Sequence, residues 1–131
     1  MNYRPQLKIY PDWLDYLIEI CSILTLIAIF TFVIINYSSL QNSISTHYNL
    51  TGSTDSYGNK SLIWLYPILA IIFYIGFSIL IKFPHKYNYP VSITEQNVRK
   101  VYKLGIIVIR LVKLIVIVLL LYFSLKTIYE I

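Results

Sequence analysis

The stretch His47–Lys60, HYNLTGSTDSYGNK, is the one long polar, turn-forming segment in a chain of 131 residues that is 57% hydrophobic and 13% charged. It holds two of the four glycines and one of the two histidines, and no apolar run. Long apolar segments flank it on both sides, so it reads as a structured loop held at a membrane surface between two spanning helices. Each polar position has a use. Gly52 and Gly58 permit positive φ and make two turns cheap. Asn49 and Asp55 close turns through their own side chains. Asp55 can pair with Lys60, and His47 can titrate or bind a partner. The bland alternative is a well-capped connection between two helices with no ligand.

Outward from the loop, the chain divides into a single membrane domain. A first transmembrane helix is expected over about 14–36, the motif loop over 37–61, a second transmembrane helix over 62–82, a polar connection over 83–92, and a long helix containing the third span over 93–127. The fold class is thus all-α membrane protein, with three transmembrane helices and a third helix that starts in the aqueous phase. Each apolar run is near the twenty residues that a bilayer core requires. A soluble domain averages about 25% charged residues, so the deficit here belongs to the lipid-facing surface. Pro11 suits the first turn of the first helix, with Asp12 and Asp15 near the positive end of its dipole. Ser92 and Glu95 have capping-box spacing and place the start of the third helix near Ile93. Gly105 is a candidate bend. The single cysteine, Cys21, has no partner for an intrachain disulfide and is expected to be a buried, inert thiol. The charged N-terminal stretch and the length of the first apolar run do not fit a cleavable signal peptide.

Three charges fall inside the apolar runs of the spans. Glu19 reads either as a headgroup-level carboxylate or as an inward partner for a base on another helix. Arg110 and Lys113, three residues apart on one face, either snorkel to the interface or pair with Glu19 inside the membrane. With the N-terminus inside, the inner segments carry Arg4, Lys8, Lys82, Lys86, Arg99, Lys100 and Lys103, and the outer ones Lys60 and Lys126. The imbalance predicts N-in, C-out topology with the motif loop outside. The net charge of +5 then reports orientation and contact with anionic lipid, and no nucleic-acid partner is expected. His47, Asn49 and Asp55 would be a weak ligand set for a metal ion, since zinc sites need more Cys or His at fixed spacing. No catalytic constellation, cofactor motif or metal site can be assembled, so the expectation is a non-enzyme.

The pattern His47, Asn49, Gly52, Asp55, Tyr57, Gly58 and Lys60, with Ile44 before it and Pro67 early in the next helix, resembles the signature of the SdpI-type family of small bacterial membrane proteins. Pro84–Leu104 resembles the segment that follows the second helix in many relatives. The family's proline just before the motif has no counterpart at Ser43 or Ser45. The resemblance implies a bacterial cytoplasmic (inner) membrane protein acting in recognition of, or immunity to, a membrane-acting peptide toxin, or in signalling with a regulatory protein. Tyr48 and Tyr57 would add aromatic contacts to the loop. The alternatives are an accessory or scaffold subunit of a larger membrane complex, a homo-oligomer included, and, third, a metal-dependent membrane enzyme or transporter.

Overall fold

The computed structural model describes residues 3–129. Three α-helices, α1 (Trp13–Asn36), α2 (Leu65–Leu80) and α3 (Val98–Tyr129), form the bundle. Between α1 and α2 the chain forms an antiparallel hairpin of β1 (Ser43–Tyr48) and β2 (Thr54–Asn59). The fold is therefore not strictly all-α. All three helices are long and apolar enough to cross a membrane, once the 3-10 turn Lys60–Trp64 is added to the start of α2. In their most apolar windows only 22%, 17% and 17% of residues are buried inside the protein, so most of the apolar side chains face outward, toward lipid.

α1 starts at Asp12, whose side chain accepts from the amides of Leu14 (3.0 Å) and Asp15 (3.2 Å), while the Asp15 carboxylate accepts from the Asp12 amide at 2.9 Å. This reciprocal capping box satisfies donors that a helix otherwise leaves open. Hydrogen bonding from the Asp15 backbone, then from its side chain and Lys103, holds the Asp12 carboxyl below its ordinary value against a partial opposing effect of burial. Pro11 lies just before the cap and not inside the first turn. Within α1 the hydroxyls of Ser22, Thr25 and Thr31 donate to carbonyls four residues back at 3.0, 2.7 and 2.8 Å. Thr25 and Thr31 can thus face hydrocarbon, and Ser22 be buried in the bundle, without an unmet hydrogen bond. Cys21 is exposed on the helix surface and not buried.

α3 begins at Val98, later than the spacing of Ser92 and Glu95 predicts. The box actually used is Thr94 with Asn97: the Asn97 amide donates to Thr94 Oγ1 at 3.3 Å and the Thr94 amide to Asn97 Oδ1 at 2.8 Å. Ile93 is drawn into a buried cluster with Val98 and Tyr102, and its carbonyl accepts from Tyr3 at 3.0 Å. That extended pairing removes Ile93 from the helix. α3 still spans 32 residues, roughly 48 Å at 1.5 Å per residue, more than the ~30 Å hydrocarbon core.

The helix α3 packs against both α1 and α2, and runs in the same direction as α1. Buried apolar residues form three clusters. At the hairpin end they are Val33, Ile44 and Ile63; at mid-bundle Ile29, Ala70 and Ile117; at the opposite end Ile93, Val98 and Tyr102. The N-terminal segment straps that last end. Arg4 donates to the carbonyls of Tyr87 (2.5 Å) and His85 (3.2 Å), and Tyr102 donates its hydroxyl to the Pro5 carbonyl at 2.9 Å. Burial pushes the Tyr87 and Tyr89 hydroxyls up to about 12, so both remain donors, to the carbonyls of Leu80 and Pro84, each at 2.7 Å.

Gly105 is a contact point and not a bend. A Cβ there would lie 2.8 Å from the Tyr89 ring. That ring is pinned by Tyr102 stacking, the Arg4 guanidinium and its own hydrogen bond. Ala is favoured over Gly by about 1 kcal/mol in a helix interior, but overpacking costs about 1–3 kcal/mol. Gly105→Ala is therefore expected to lower the melting temperature in detergent, and to raise it when made in a Tyr89→Ala background. A rise in the wild-type background would show that the contact is slack.

Candidate functional site

The hairpin is built from an unpromising composition for strands: Ser, Thr, Asn, Asp and Gly dominate. Its pairing runs Ser43 to Asn59, Ile44 to Gly58, Ser45 to Tyr57, then His47 to Ser56 and Tyr48 to Thr54. The register shifts twice, so Thr46 is an extra residue on β1 and Asp55 an extra residue on β2. Bulges of this kind re-aim side chains, and here they bring His47 Nδ1 to 2.5 Å from Asp55 Oδ1. Both side chains remain accessible, at 68% and 42%.

Asn49 organises the tip. Its Oδ1 accepts from the amides of Thr51 and Ser53, each at 3.0 Å, and from the Thr51 hydroxyl at 2.7 Å. Gly52 takes φ +84, the one positive-φ glycine among the described residues, which only glycine adopts cheaply. Gly58 does not turn the chain. It lies in β2, where a Cβ would meet Leu62 Cδ1 at 2.5 Å and Thr46 Cγ2 at 2.9 Å. Its role is a close crossing of strand, β1 and the following turn.

Asp55 and Lys60 do not pair. Lys60 reaches the other way, with Nζ 4.7 Å above the Tyr37 ring and 3.5 Å from the Tyr37 carbonyl oxygen. The second bulge turns Asp55 toward His47, and the Lys60 amide donates to the Asn42 carbonyl at 2.9 Å, which fixes its direction.

The inner side of the hairpin is docked on α3. Ile44 is buried against Val33 and Ile63. Tyr48 stacks on Phe123, and its hydroxyl lies 2.7 Å from that of Thr127, which is also 3.2 Å from the Tyr66 hydroxyl. Thr127 is almost wholly buried. Neither Thr127 nor Tyr66 carries a motif, and only the meeting of three elements makes them matter. Between hairpin and α3 is a polar recess of about 360 Å³, lined by Ser45, Tyr48, Gly52, Thr54, Tyr57 and Lys126 among others. Leu50 at the tip and Tyr57 on β2 face outward, Leu50 fully and Tyr57 at 69%.

The second constellation is inside the bundle. Glu19 Oε2 accepts from Lys113 Nζ at 2.6 Å and from Arg110 Nη1 at 3.0 Å. Tyr74 of α2 donates its hydroxyl to Glu19 Oε1. Lys113 is buried, 4.4 Å from the Tyr74 ring and 3.3 Å from Ser78 Oγ. One turn toward the N-terminus, buried Asp15 pairs with Lys103 and lies 3.2 Å from Arg110 Nε. Lys113 thus does not snorkel, and Glu19 is turned into the protein. This cluster is remote from the hairpin in sequence and along α1 and α3, and the structure does not join the two sets of residues.

A match is found to the family described as a domain of unknown function (DUF1648), over residues 23–71. That range covers the second half of α1, the whole hairpin and the start of α2. No curated protein and no solved structure matches the chain.

Removing one partner of a buried ion pair costs about 3–5 kcal/mol, because the other charge is left stranded. Glu19→Gln is therefore expected to lower the melting temperature sharply, as read by thermal unfolding in detergent. Glu19→Leu combined with Lys113→Leu should recover most of the loss. A Glu19→Gln protein that melts with wild type would remove the cluster from the account of stability.

Proposed function

We propose that the protein is a non-enzymatic recognition module of the SdpI-like type in a bacterial cytoplasmic membrane, which binds a membrane-acting peptide toxin at the hairpin and so protects the cell or signals to a regulatory protein. The observation that carries the reading is the docked hairpin. A polar loop of Ser, Thr, Asn and Gly has no intrinsic reason to be ordered. Here two bulges, an Asn49-centred tip and the Tyr48–Thr127 contact hold it as a rigid platform. Rigid elements present groups without an ordering cost at binding. The platform offers an apolar tip at Leu50, an aromatic at Tyr57 and the polar His47–Asp55 pair, a combination suited to an amphipathic peptide arriving at the headgroup level. The seven-to-two distribution of basic residues supports N-in, C-out orientation with the platform outside. A second reading, an accessory subunit of a larger membrane complex, is favoured by Gly76, which has nothing within 4 Å of its Cβ position on the uncharged outer face of α2.

The test is survival of a sensitive bacterial host, with and without the gene, under challenge by membrane-acting peptide toxins. The wild-type gene should protect, and Leu50→Ser with Tyr57→Ala should abolish protection at an unchanged protein level, since exposed substitutions usually shift stability by no more than about 0.5 kcal/mol. Equal sensitivity with and without the gene to every toxin tried would reject the immunity role, and a stable larger assembly on gentle extraction would favour the subunit reading.

Orientation has its own measurement. In a Cys21→Ser background, a cysteine at Leu50 should react with a membrane-impermeant maleimide in intact cells, and one at Arg99 only after lysis. The reverse pattern would invert the topology.

A further inference from the structure

At the end of the bundle away from the hairpin, a cavity of about 280 Å³ opens between the N-terminal segment, α1, the end of α2 and α3. Its floor is charged but internally matched. Of the ion-pair cluster, Asp15, Lys103 and Arg110 line it, and these two cations are engaged by Asp15 together with Asp12 and Glu19, which lie outside the lining. Its apolar lining includes Leu7, Ile9, Ile81 and Ile106. Its lining also includes Lys8 and Lys82, both exposed. Among the described residues neither has a carboxylate within ion-pair distance, and Lys8 is 5.3 Å from the Tyr10 ring. With Lys103 and Arg110 neutralised by their carboxylate partners, Lys8 and Lys82 are the two lining cations left without one.

Its depth is marked by exposed Tyr10, Trp13 and Tyr16. Such aromatics collect where helices meet the headgroups. A pocket at that level, with two free ammonium groups, a matched floor and apolar walls, fits a ligand that is anionic at one end and hydrocarbon at the other. Its volume is far above the ~30 Å³ of a water molecule, and close to the lower bound of ~300 Å³ for small-molecule pockets.

We propose that this cavity is a binding site for the phosphate ester of an anionic phospholipid, with Lys8 and Lys82 contacting the phosphodiester and Ile81 and Ile106 lying against the glycerol and upper acyl chain. The site is separate from the hairpin and does not depend on what the hairpin binds. It also differs from a diffuse basic surface, because Arg99 and Lys100 are exposed on the same end but are not part of the lining.

The experiment is native mass spectrometry of the full chain in detergent, titrated with dioleoyl phosphatidylglycerol, dioleoyl phosphatidylcholine or inorganic phosphate. Phosphatidylglycerol is expected to bind at about tenfold lower concentration than phosphatidylcholine. Lys8→Gln with Lys82→Gln should erase that preference, and Arg99→Gln with Lys100→Gln, which removes the same charge from the same end, should keep it. Equal binding of the two lipids overturns the proposal. So does an equal loss in both double variants, which would mean charge attraction without a pocket. Displacement of phosphatidylglycerol by equimolar inorganic phosphate would show a site for the free anion and reject the lipid.

Discussion

The pairing of Asp15 and Glu19 on α1 with Lys103, Arg110 and Lys113 on α3 is the constraint from which the rest of the bundle follows. Apolar packing in lipid is non-specific, because a Leu or Ile gains little by exchanging lipid tails for another helix. A buried charge is specific, because it must find its partner or bear a heavy desolvation cost. Asp15 and Glu19 are one turn apart on α1, and the bases ascend α3 in the same order. This matches two helices running in parallel at one register. A slip of α3 by one turn toward the hairpin would leave Lys113 buried with no carboxylate. Tyr74 and Ser78 tie α2 to the same point, so all three helices are indexed there.

That register sets the geometry at the far end. Parallel α1 and α3 finish at a similar height, so the chain leaving α1 passes directly beside the last turns of α3. The hairpin can then lay Tyr48 on Phe123 and reach Thr127, while Ile44 fills the gap between Val33 and Ile63. Two bulges allow this. A regular strand pair of this composition would alternate faces strictly. Inserting Thr46 and then Asp55 keeps Tyr48 directed at α3 and leaves His47 and Asp55 together on the accessible side.

The opposite end is closed by other contacts. The capping box at Asp12, the strap formed by residues 3–11 and the tyrosines of the α2–α3 connection close over the start of α3. Gly105 is required there because the Tyr89 ring occupies the space a side chain would take. The result is one end stapled by aromatic hydroxyls and carbonyls, and one end carrying an ordered polar platform, with the matched charges between them.

Much of the architecture was legible in composition and order alone. Three apolar runs of spanning length dictate three membrane helices, since hydrocarbon leaves the backbone few other ways to satisfy its hydrogen bonds. The polar stretch from His47 to Lys60 announced an ordered connection through its glycines and Asn49, and the contact of His47 with Asn49 or Asp55 was within reach of its spacing. What could not be read there was a sheet. Strand propensity largely measures a packed, half-buried surface, and Ser, Thr, Asn and Gly supply none until α3 provides one. That Asp55 would turn to His47 and away from Lys60 was equally hidden, because bulges change which side chains share a face without leaving a mark in residue type. Gly58 and Gly105 looked like turns or bends, yet they are close approaches, and a close approach exists only once the neighbour is in place. Glu19, Arg110 and Lys113 were visible as charges in apolar runs, with snorkelling and pairing both open. Tertiary structure alone decided between them, by placing α1 and α3 side by side at the register where each charge meets its opposite.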